Sequence, residues 1–225
     1  MESTITSDGV ALFGALEVPK AVRGVVAFAH GSGSSRFSRR NNAVAAYLRE
    51  GGLGTLLFDL LTAEEDRRDA VTREHRFDIP LLSRRLAGAV AWLAEQEPVR
   101  QLPIGLFGSS TGAAAALIVA ADMPQHIAAV VSRGGRVDLA GDWLERVQAP
   151  TLFIVGGLDT EVLRLNKAAR ERLPRRAEVV VVNRATHLFE EPGALEQVAE
   201  LARSWFLDCM PSRKSSARGH QGLDH

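Results

Sequence analysis

One stretch of the sequence, residues 102–121, constrains the fold of this chain more than any other. It consists of an apolar run of strand length, the segment Gly-Ser-Ser-Thr-Gly, and a run of small residues with high helix propensity. The middle segment fits the pattern G-x-S-x-G with Ser110 at its centre. In that pattern a strand turns sharply into a helix, and the two glycines let the strand and the helix approach each other. The stretch therefore predicts a turn that exposes the Ser110 hydroxyl at the end of a sheet.

A simpler explanation of the same segment is an ordinary strand-to-helix turn in which Ser110 caps the helix. The five-residue pattern by itself does not separate the two, because glycine and serine are common. Ser109 occupies a variable position of the pattern, and its side chain is expected to point away from that of Ser110.

Composition narrows the class of protein. Lysine plus arginine and aspartate plus glutamate both number 27, so the formal net charge is zero and no nucleic-acid or anionic-membrane partner is indicated. Cys209 is the single cysteine, which excludes an intramolecular disulfide and a cysteine-based metal cluster. Residues 1–10 lack the features of a signal peptide, and the longest apolar run, 113–121, is too short to span a bilayer. A cytoplasmic protein is expected.

Apolar runs of strand length alternate with stretches of helix spacing along the chain. A hairpin is predicted over 4–18, further strands over 22–29, 53–60, 102–107, 127–132, 151–155 and 178–183, and helices over 40–50, 79–96, 113–121, 160–173 and 193–206. This alternation predicts one α/β domain over residues 1–207, with a doubly wound, mostly parallel sheet and helices on both faces. No segment is long enough for a large lid domain. The charged segment 62–78 is expected to be a solvated loop with some helix, and 208–225 a disordered tail.

Four polar loops are predicted at the same edge of this sheet, beyond the carboxyl ends of its strands, where ligands bind in open parallel sheets. They carry His30-Gly-Ser-Gly, Ser110, Asp159 and His187. Each has an ordinary explanation when taken alone: Asp159, for example, could cap the helix that follows it. The order serine, acid, histidine, each just past a strand, is the order of a catalytic triad in the α/β-hydrolase architecture.

The chemistry explains why these residue types belong together. A serine hydroxyl is a poor nucleophile near neutral pH, so a base such as His187, with an ordinary pKa of about 6.5, must take its proton. Asp159 would hold the imidazole in one tautomer and stabilise its protonated form. The backbone N–H groups of Ser32 and Thr111 are the candidates for binding the negatively charged oxygen of the tetrahedral intermediate.

Other residues compete for some of these roles. Asp138 and Asp142 follow a neighbouring strand and could replace Asp159 as the acid. The ring of His30 is expected to tie loops together. No set of His, Cys, Asp and Glu has convincing metal-ligand spacing, and the glycine-rich loop matches neither a dinucleotide fingerprint nor a P-loop.

On these motifs the chain resembles the α/β-hydrolase superfamily, and within it the small, lidless dienelactone-hydrolase-like branch, over roughly residues 22–206. The resemblance rests on His30-Gly31-Ser32-Gly33, Gly108-Ser109-Ser110-Thr111-Gly112, Gly157-Leu158-Asp159 and Ala185-Thr186-His187-Leu188-Phe189. It implies hydrolysis of a carboxylic ester or lactone through an acyl-serine intermediate, without a cofactor. The roles implied are Ser110 as nucleophile, Asp159 as acid, His187 as base, and Ser32 and Thr111 as oxyanion donors.

The chain departs from this family at one position. True dienelactone hydrolases have a cysteine nucleophile in the elbow, where this chain has Ser110, so a general serine esterase is the expected activity. Relatives of this branch also occur joined to phosphoribosyltransferase domains.

Two arginines, Arg133 and Arg136, flank a glycine pair at the carboxyl end of the strand next to the elbow strand. This position places them near the mouth of the predicted site. Arg133 is hypothesised to orient an anionic group of the substrate through bidentate hydrogen bonds. The alternative is a structural ion pair of Arg133 with Asp59 or Asp138.

These observations predict a cytoplasmic serine hydrolase that cleaves a small-molecule ester, thioester or lactone. Two alternatives use the same fold. One is a non-catalytic protein that binds a ligand in the same pocket, and the other is an acyltransferase or haloperoxidase-like variant with the same triad.

Overall fold

A computed structural model describes residues 2–210 of the chain, in which eight strands form one sheet. The strands are Glu2–Ser7 (β1), Val10–Glu17 (β2), Gly24–Ala29 (β3), Leu53–Phe58 (β4), Ile104–Ser109 (β5), Ile127–Arg133 (β6), Thr151–Gly156 (β7) and Ala177–Val182 (β8). Their order across the sheet is β1-β2-β4-β3-β5-β6-β7-β8. The hairpin β1-β2 and the pair β2-β4 are antiparallel, and the remaining pairs are parallel. The predicted, mostly parallel sheet is confirmed.

Helices cover both faces of this sheet. They are Arg39–Glu50 (α1), Ala63–Thr72 (α2), Ile79–Glu95 (α3), Thr111–Asp122 (α4), Thr160–Arg172 (α5) and Ala194–Cys209 (α6). An irregular helical connector, Val137–Arg146, follows β6 and is broken at Gly141. α1 and α6 pack on one face, and α3 and α4 on the other. The architecture is therefore doubly wound, as the alternating pattern predicts.

The central strands are buried on both faces, which explains their near-continuous apolar sequences. All six residues of β3, β4, β5 and β7 are buried. Successive side chains of a strand point to opposite faces. Val25 and Ala27 accordingly join the core beneath α3 and α4, whereas Val26 and Phe28 join the core beneath α1 and α6.

The carboxyl terminus of the described chain differs from the sequence prediction. α6 continues to Cys209, and the following Met210 is fully buried. The Met210 side chain lies against two glycines of the sheet: a Cβ on Gly24 would come within 2.6 Å of its Sδ, and a Cβ on Gly105 within 2.4 Å of its Cε. The prediction of a disordered tail is therefore wrong for residues 208–210, and residues 211–225 lie outside the described part.

Within residues 2–210, none of the helices has the length and apolar character needed to cross a bilayer. The same range contains no group of three or more His, Cys, Asp or Glu side chains placed to hold a metal ion.

The packing of Met210 against the sheet predicts that this residue stabilises the domain. Met210→Ala should lower the free energy of unfolding by about 2–4 kcal/mol, because it removes a buried side chain and leaves a cavity. Chemical denaturation measures this change. Val71→Ala, at a position that is 84% exposed, is the control and should change stability by less than about 0.5 kcal/mol. An equally small effect of Met210→Ala would contradict the described end of the fold.

Candidate active site

Ser110 lies on a strained turn between β5 and α4. Its backbone has φ 51° and ψ −120°, a conformation that residues with a side chain rarely adopt. The Ser110 side chain makes no capping hydrogen bond to α4, so it is not an ordinary helix cap. The neighbouring Ser109 hydroxyl points elsewhere, as predicted, and donates to Asn41 Oδ1 at 3.2 Å. These features are those of a nucleophile elbow.

The two glycines of the elbow motif permit two close backbone approaches. A Cβ on Gly108 would lie 2.4 Å from Ala113 Cα, and a Cβ on Gly112 would lie 2.2 Å from the Ala29 carbonyl oxygen. Gly108 therefore lets α4 fold back onto β5, while Gly112 lets α4 pass close to the end of β3. Together they explain why the sequence has glycine on both sides of Ser110.

Asp159 and His187 form a direct hydrogen bond at the same edge of the sheet. His187 Nδ1 donates to Asp159 Oδ2 at 2.6 Å. The side chain of Asp159 is 15% exposed and that of His187 is 39% exposed. Although Asp159 immediately precedes α5, its side chain makes no capping bond to that helix. Its carboxylate is instead placed to fix the tautomer of the imidazole, with Nε2 left to act on a neighbouring group.

Asp138 and Asp142, the alternative candidates for the acid, form ion pairs with arginines. Asp138 accepts two hydrogen bonds from Arg136, at 2.9 and 2.8 Å. Asp142 pairs with Arg172 at 3.1 Å. Asp159 is therefore the one of the three predicted candidates that contacts His187.

The loop after β6 connects the elbow to His187. The Ser110 N–H donates to the carbonyl of Arg133 at 3.2 Å, and the Ser110 carbonyl accepts from the Arg136 N–H at 3.0 Å. Between these residues, Gly134 has φ 55°, and a Cβ there would lie 3.4 Å from His187 Nδ1. The positive φ of Gly134 favours glycine at this position, and the residue lies between the imidazole and the loop that holds the Ser110 backbone.

The predicted oxyanion donors lie beside Ser110. A Cβ on Gly31 would be 3.1 Å from Ser110 Cβ, which places the glycine-rich loop against the elbow. The side chains of Ser32 and Thr111 meet, with their hydroxyl oxygens 3.1 Å apart. Among residues 2–210, neither the Ser32 N–H nor the Thr111 N–H donates a hydrogen bond. Both N–H groups therefore remain available to an oxyanion, and Thr111 adds the positive end of the α4 dipole.

His30 sets the orientation of the Gly31–Ser32 peptide. Its Nδ1–H donates to the Gly31 carbonyl, and its Nε2 accepts from the Leu60 N–H, both at 3.0 Å. Burial lowers the pKa of His30, which favours the neutral ring that this pair of bonds requires. In a trans peptide the carbonyl and the next N–H point in opposite directions, so fixing the Gly31 carbonyl also fixes the Ser32 N–H. The predicted role of His30 in joining loops is confirmed.

Asp69 and Arg76 also hold the glycine-rich loop in place, a contact that the sequence did not predict. The buried Asp69 carboxylate accepts from the backbone and the Nε of Arg76, and the Arg76 carbonyl accepts from the Ser32 hydroxyl at 3.2 Å. Burial alone would raise the pKa of Asp69, but these hydrogen bonds hold it below its ordinary value. The segment 62–78, expected to be a solvated loop with some helix, does contain a helix, α2, but it also anchors the glycine-rich loop.

A cleft of about 210 Å³ lies beside the glycine-rich loop. Aromatic and aliphatic side chains, including Phe13, Phe37 and Leu61, line it together with Arg36 and Asp59. A much smaller cleft next to Thr111 shares lining residues with it. These are His30, Ser34, Leu61 and Asp66. The larger cleft thus lies next to the smaller one, which Ser32 and Thr111 line.

Arg133 occupies the end of β6 and is only 8% exposed. Arg133 does not form the ion pair with Asp59 or Asp138 that the sequence left open, because Asp59 pairs with Arg36 and Asp138 pairs with Arg136. The sequence alone did not indicate that Arg133 would be so deeply buried.

The buried His30 predicts a pH dependence of stability. Its pKa is lowered in the folded state from about 6.5 in the unfolded state, so the unfolded chain binds more protons as the pH falls below about 6.5. The contribution of the neutral ring is complete above that pH and is lost as the pH falls through the folded-state pKa. The unfolding free energy of the wild type should therefore decrease between pH 7 and pH 5 more steeply than that of His30→Gln. Parallel curves from chemical denaturation would contradict this assignment.

The backbone strain at Ser110 predicts that relieving the positive φ stabilises the protein. Ser110→Gly relieves the positive φ, whereas Ser110→Ala removes the hydroxyl and keeps the Cβ. The glycine variant should be more stable than the alanine variant by about 1 kcal/mol, although glycine ordinarily destabilises a folded chain. Thermal and chemical denaturation of the pair measure the difference. A less stable glycine variant would mean that the turn is not strained.

Sequence comparison matches residues 85–217 to the family model described as X-Pro dipeptidyl-peptidase (S15 family). Two putative phosphoribosyl transferases from strains of Mycobacterium tuberculosis are 55% identical to the chain over 207 residues. This match covers 92% of the chain and 46% of each relative, so the chain spans about half of their length.

Comparison of structures gives a near relative and a distant one. A dienelactone hydrolase from Anabaena variabilis is 51% identical, with a TM-score of 0.91 and coverage of 92% of this chain and 96% of that one. Est1E from Butyrivibrio proteoclasticus is 18% identical, with a TM-score of 0.78 and coverage of 92% of this chain and 98% of that one. At this identity, Est1E shares the fold of this chain. The chain therefore belongs to the α/β-hydrolase superfamily: it shares the S15 family pattern over residues 85–217 and falls in the dienelactone-hydrolase-like branch, with serine at the centre of its elbow motif.

Proposed function

We propose that this protein is a serine hydrolase that cleaves a small carboxylic ester, thioester or lactone. The observation that carries the proposal is the 2.6 Å hydrogen bond between His187 and Asp159 at the sheet edge where the strained turn presents Ser110. This combination supplies a nucleophile, a base and a group that orients the base.

The reaction has two stages. In the first, Ser110 Oγ attacks the carbonyl carbon while His187 Nε2 takes the hydroxyl proton, and the imidazolium is stabilised by Asp159. The N–H groups of Ser32 and Thr111 bind the oxyanion of the tetrahedral intermediate. His187 then protonates the leaving oxygen or sulfur, leaving an acyl-serine. In the second stage His187 activates a water molecule, which releases the acid and regenerates Ser110. No metal or cofactor takes part in these steps.

The size of the substrate is suggested by the cleft next to the oxyanion loop. Its volume of about 210 Å³ is below the usual range for drug-sized ligands, which starts near roughly 300 Å³. One half of a small ester fits such a space. The apolar side chains Phe13, Phe37 and Leu61 would contact its hydrocarbon part.

Three alternative functions on the same fold can each be distinguished by an assay. A protein that only binds a ligand would not react with a fluorophosphonate, which labels activated serines. An acyltransferase would transfer the acyl group to an added alcohol or amine in preference to water. The S15 family match raises peptide-bond cleavage as a third candidate, which an X-Pro p-nitroanilide substrate tests.

The proposal predicts the effects of three substitutions on the hydrolysis of p-nitrophenyl esters of graded acyl length. Ser110→Ala and His187→Ala should each lower kcat by about 10⁶-fold, and Asp159→Asn by about 10⁴-fold, because the three groups act as a unit. Steady-state kinetics give these ratios. Fluorophosphonate labelling should be lost in Ser110→Ala.

Ser109→Ala is the matched control for this experiment. It removes a neighbouring hydroxyl that contacts Asn41, so labelling and turnover should persist. Equal labelling of the wild type and Ser110→Ala would refute the proposed nucleophile. Faster release of p-nitroaniline from the X-Pro substrate than of p-nitrophenol from the esters would favour a peptidase.

A further inference from the structure

Asn166 is the one polar residue among the buried positions of α5. The other two are Val162 and Ala169, so the three positions form a single face of the helix, at spacings of four and three residues. Asn166 is 0% exposed. A polar side chain at the centre of such a face is unfavourable unless it is hydrogen-bonded. The partners of Asn166 therefore indicate its role.

The side chain of Asn166 acts as a donor within the described chain. Its Nδ2 donates to the carbonyl oxygens of Gly135 and Val162, each at 2.8 Å. Its Oδ1 is buried and has no hydrogen-bond partner within residues 2–210. A buried acceptor without a partner lowers stability, so it offsets part of the gain from the two donated bonds. Stability alone therefore gives little reason for an asparagine at this position.

Gly135 belongs to a short loop, residues 133–136, that holds the backbone of the candidate nucleophile. The Arg133 carbonyl accepts from the Ser110 N–H at 3.2 Å, and the Arg136 N–H donates to the Ser110 carbonyl at 3.0 Å. The Gly135 carbonyl lies between these two contacts along the chain. The bond from α5 to that carbonyl therefore supports the part of the loop that carries Ser110.

The same loop also contacts the candidate base. A Cβ on Gly134 would be 3.4 Å from His187 Nδ1 and 3.3 Å from the His187 carbonyl oxygen. The Gly134 N–H donates to the Ile154 carbonyl at 2.8 Å, which attaches the loop to β7. Asn166 attaches the loop to α5. The loop is thus held by a strand and by a helix where it meets the imidazole.

The candidate acid directly precedes α5. The helix begins at Thr160, and the carboxylate of Asp159 accepts from His187 Nδ1 at 2.6 Å. Asn166 is seven residues beyond Asp159, which is about two helical turns, so the two positions lie on similar sides of the helix. The bond from Asn166 therefore joins the helix that follows the acid to the loop that supports the serine and the imidazole.

We propose that Asn166 is a positioning residue for catalysis. By holding the Gly135 carbonyl, it keeps the loop 133–136 and α5 in the relative position at which the serine, the histidine and the aspartate act together. This inference rests on the proposed function and adds a supporting residue to it. A displacement of about 1 Å between reacting groups can lower the rate by about 100-fold, and a loop that has lost its attachment to α5 permits such displacements.

Two substitutions remove the bond to Gly135. Asn166→Leu replaces the amide by an apolar group of the same branching. Asn166→Thr keeps a hydroxyl that can donate to the carbonyl four residues earlier, that of Val162. This hydroxyl lies one bond nearer the backbone than Nδ2, so it falls short of Gly135. The threonine variant thus separates the bond within α5 from the bond to the loop, and it decides the test if the leucine variant does not fold.

Thr151→Val is the matched control. Thr151 is 0% exposed at the start of β7, the end of the strand that is remote from Asp159. Its hydroxyl donates to the Ala149 carbonyl at 3.0 Å, so the valine variant also removes a buried hydrogen bond from a side chain to the backbone. The melting temperature of this variant should fall, whereas kcat should change by less than about 2-fold because the site is distant.

The kinetic test follows p-nitrophenyl ester hydrolysis below the melting transition of every variant. Both Asn166 variants should lower kcat and kcat/KM together by about 10-fold to 100-fold, with little change in KM, because the reacting groups are displaced and the substrate cleft is not. A role confined to packing would lower the melting temperature and leave the kcat of the folded enzyme at the wild-type value. An unchanged kcat in the Asn166 variants would overturn the proposal.

Amide hydrogen exchange separates failure of this inference from failure of the proposed function. The N–H groups of Ser110, Gly134 and Arg136 are hydrogen-bonded in or to the loop. Their exchange should be about 10-fold faster in the Asn166 variants than in the wild type and in Thr151→Val. If no ester is cleaved but this exchange is faster, the hydrolase proposal fails and the support by Asn166 stands. If esters are cleaved and neither kcat nor exchange changes, the inference fails and the hydrolase proposal stands.

Discussion

The close packing of α4 against the ends of β3 and β5 is the constraint on which the rest of the site depends. Gly108 and Gly112 allow this packing, and the cost appears as the positive φ of Ser110 between them. Because both flanking elements are buried, the turn cannot relax without moving the core. The Ser110 backbone and the N-terminus of α4 are therefore held in fixed positions around which the other loops are arranged.

The glycine-rich loop beside this turn is held by hydrogen bonds from two sides. His30 fixes the Gly31 carbonyl from one side, and the Asp69–Arg76 pair anchors the Ser32 hydroxyl from the other. Such bonds fix the candidate oxyanion donors in advance, which is the condition under which donors stabilise a developing charge best. The pKa values of His30 and Asp69 are lowered for different reasons: burial lowers that of His30, whereas hydrogen bonds from Arg76 and His75 outweigh the effect of burial on Asp69.

Much of the fold, and the meeting of Asp159 with His187 in the candidate site, could be predicted from the sequence because both depend on local patterns. The buried strands produce apolar runs, and the order of Ser110, Asp159 and His187 after successive strands follows from the parallel topology. The structure also decides questions that local patterns leave open: the side chain of Asp159 contacts His187 instead of capping α5.

The features that the sequence did not predict depend on contacts between distant segments. The charge of residues 62–78 predicts a solvated loop with some helix. The helix is present as α2, but Asp69 within it is buried by its pairing with Arg76. The sequence pattern predicts the end of α6 at residue 206, but the helix continues to Cys209, where Met210 packs against glycines of two remote strands. The burial of Arg133 likewise results from where β6 ends relative to α1, which no short sequence pattern encodes.

The proposed reaction requires that Ser110 become covalently acylated during turnover. Rapid acid quenching of the enzyme with excess p-nitrophenyl acetate, followed by intact-mass and peptide mass spectrometry, tests it most directly. One added acetyl group per chain is expected, located on Ser110 in the peptide that spans the elbow, and it should be absent in Ser110→Ala. Hydrolysis of the ester without a serine adduct, or an adduct on a different residue, would contradict it.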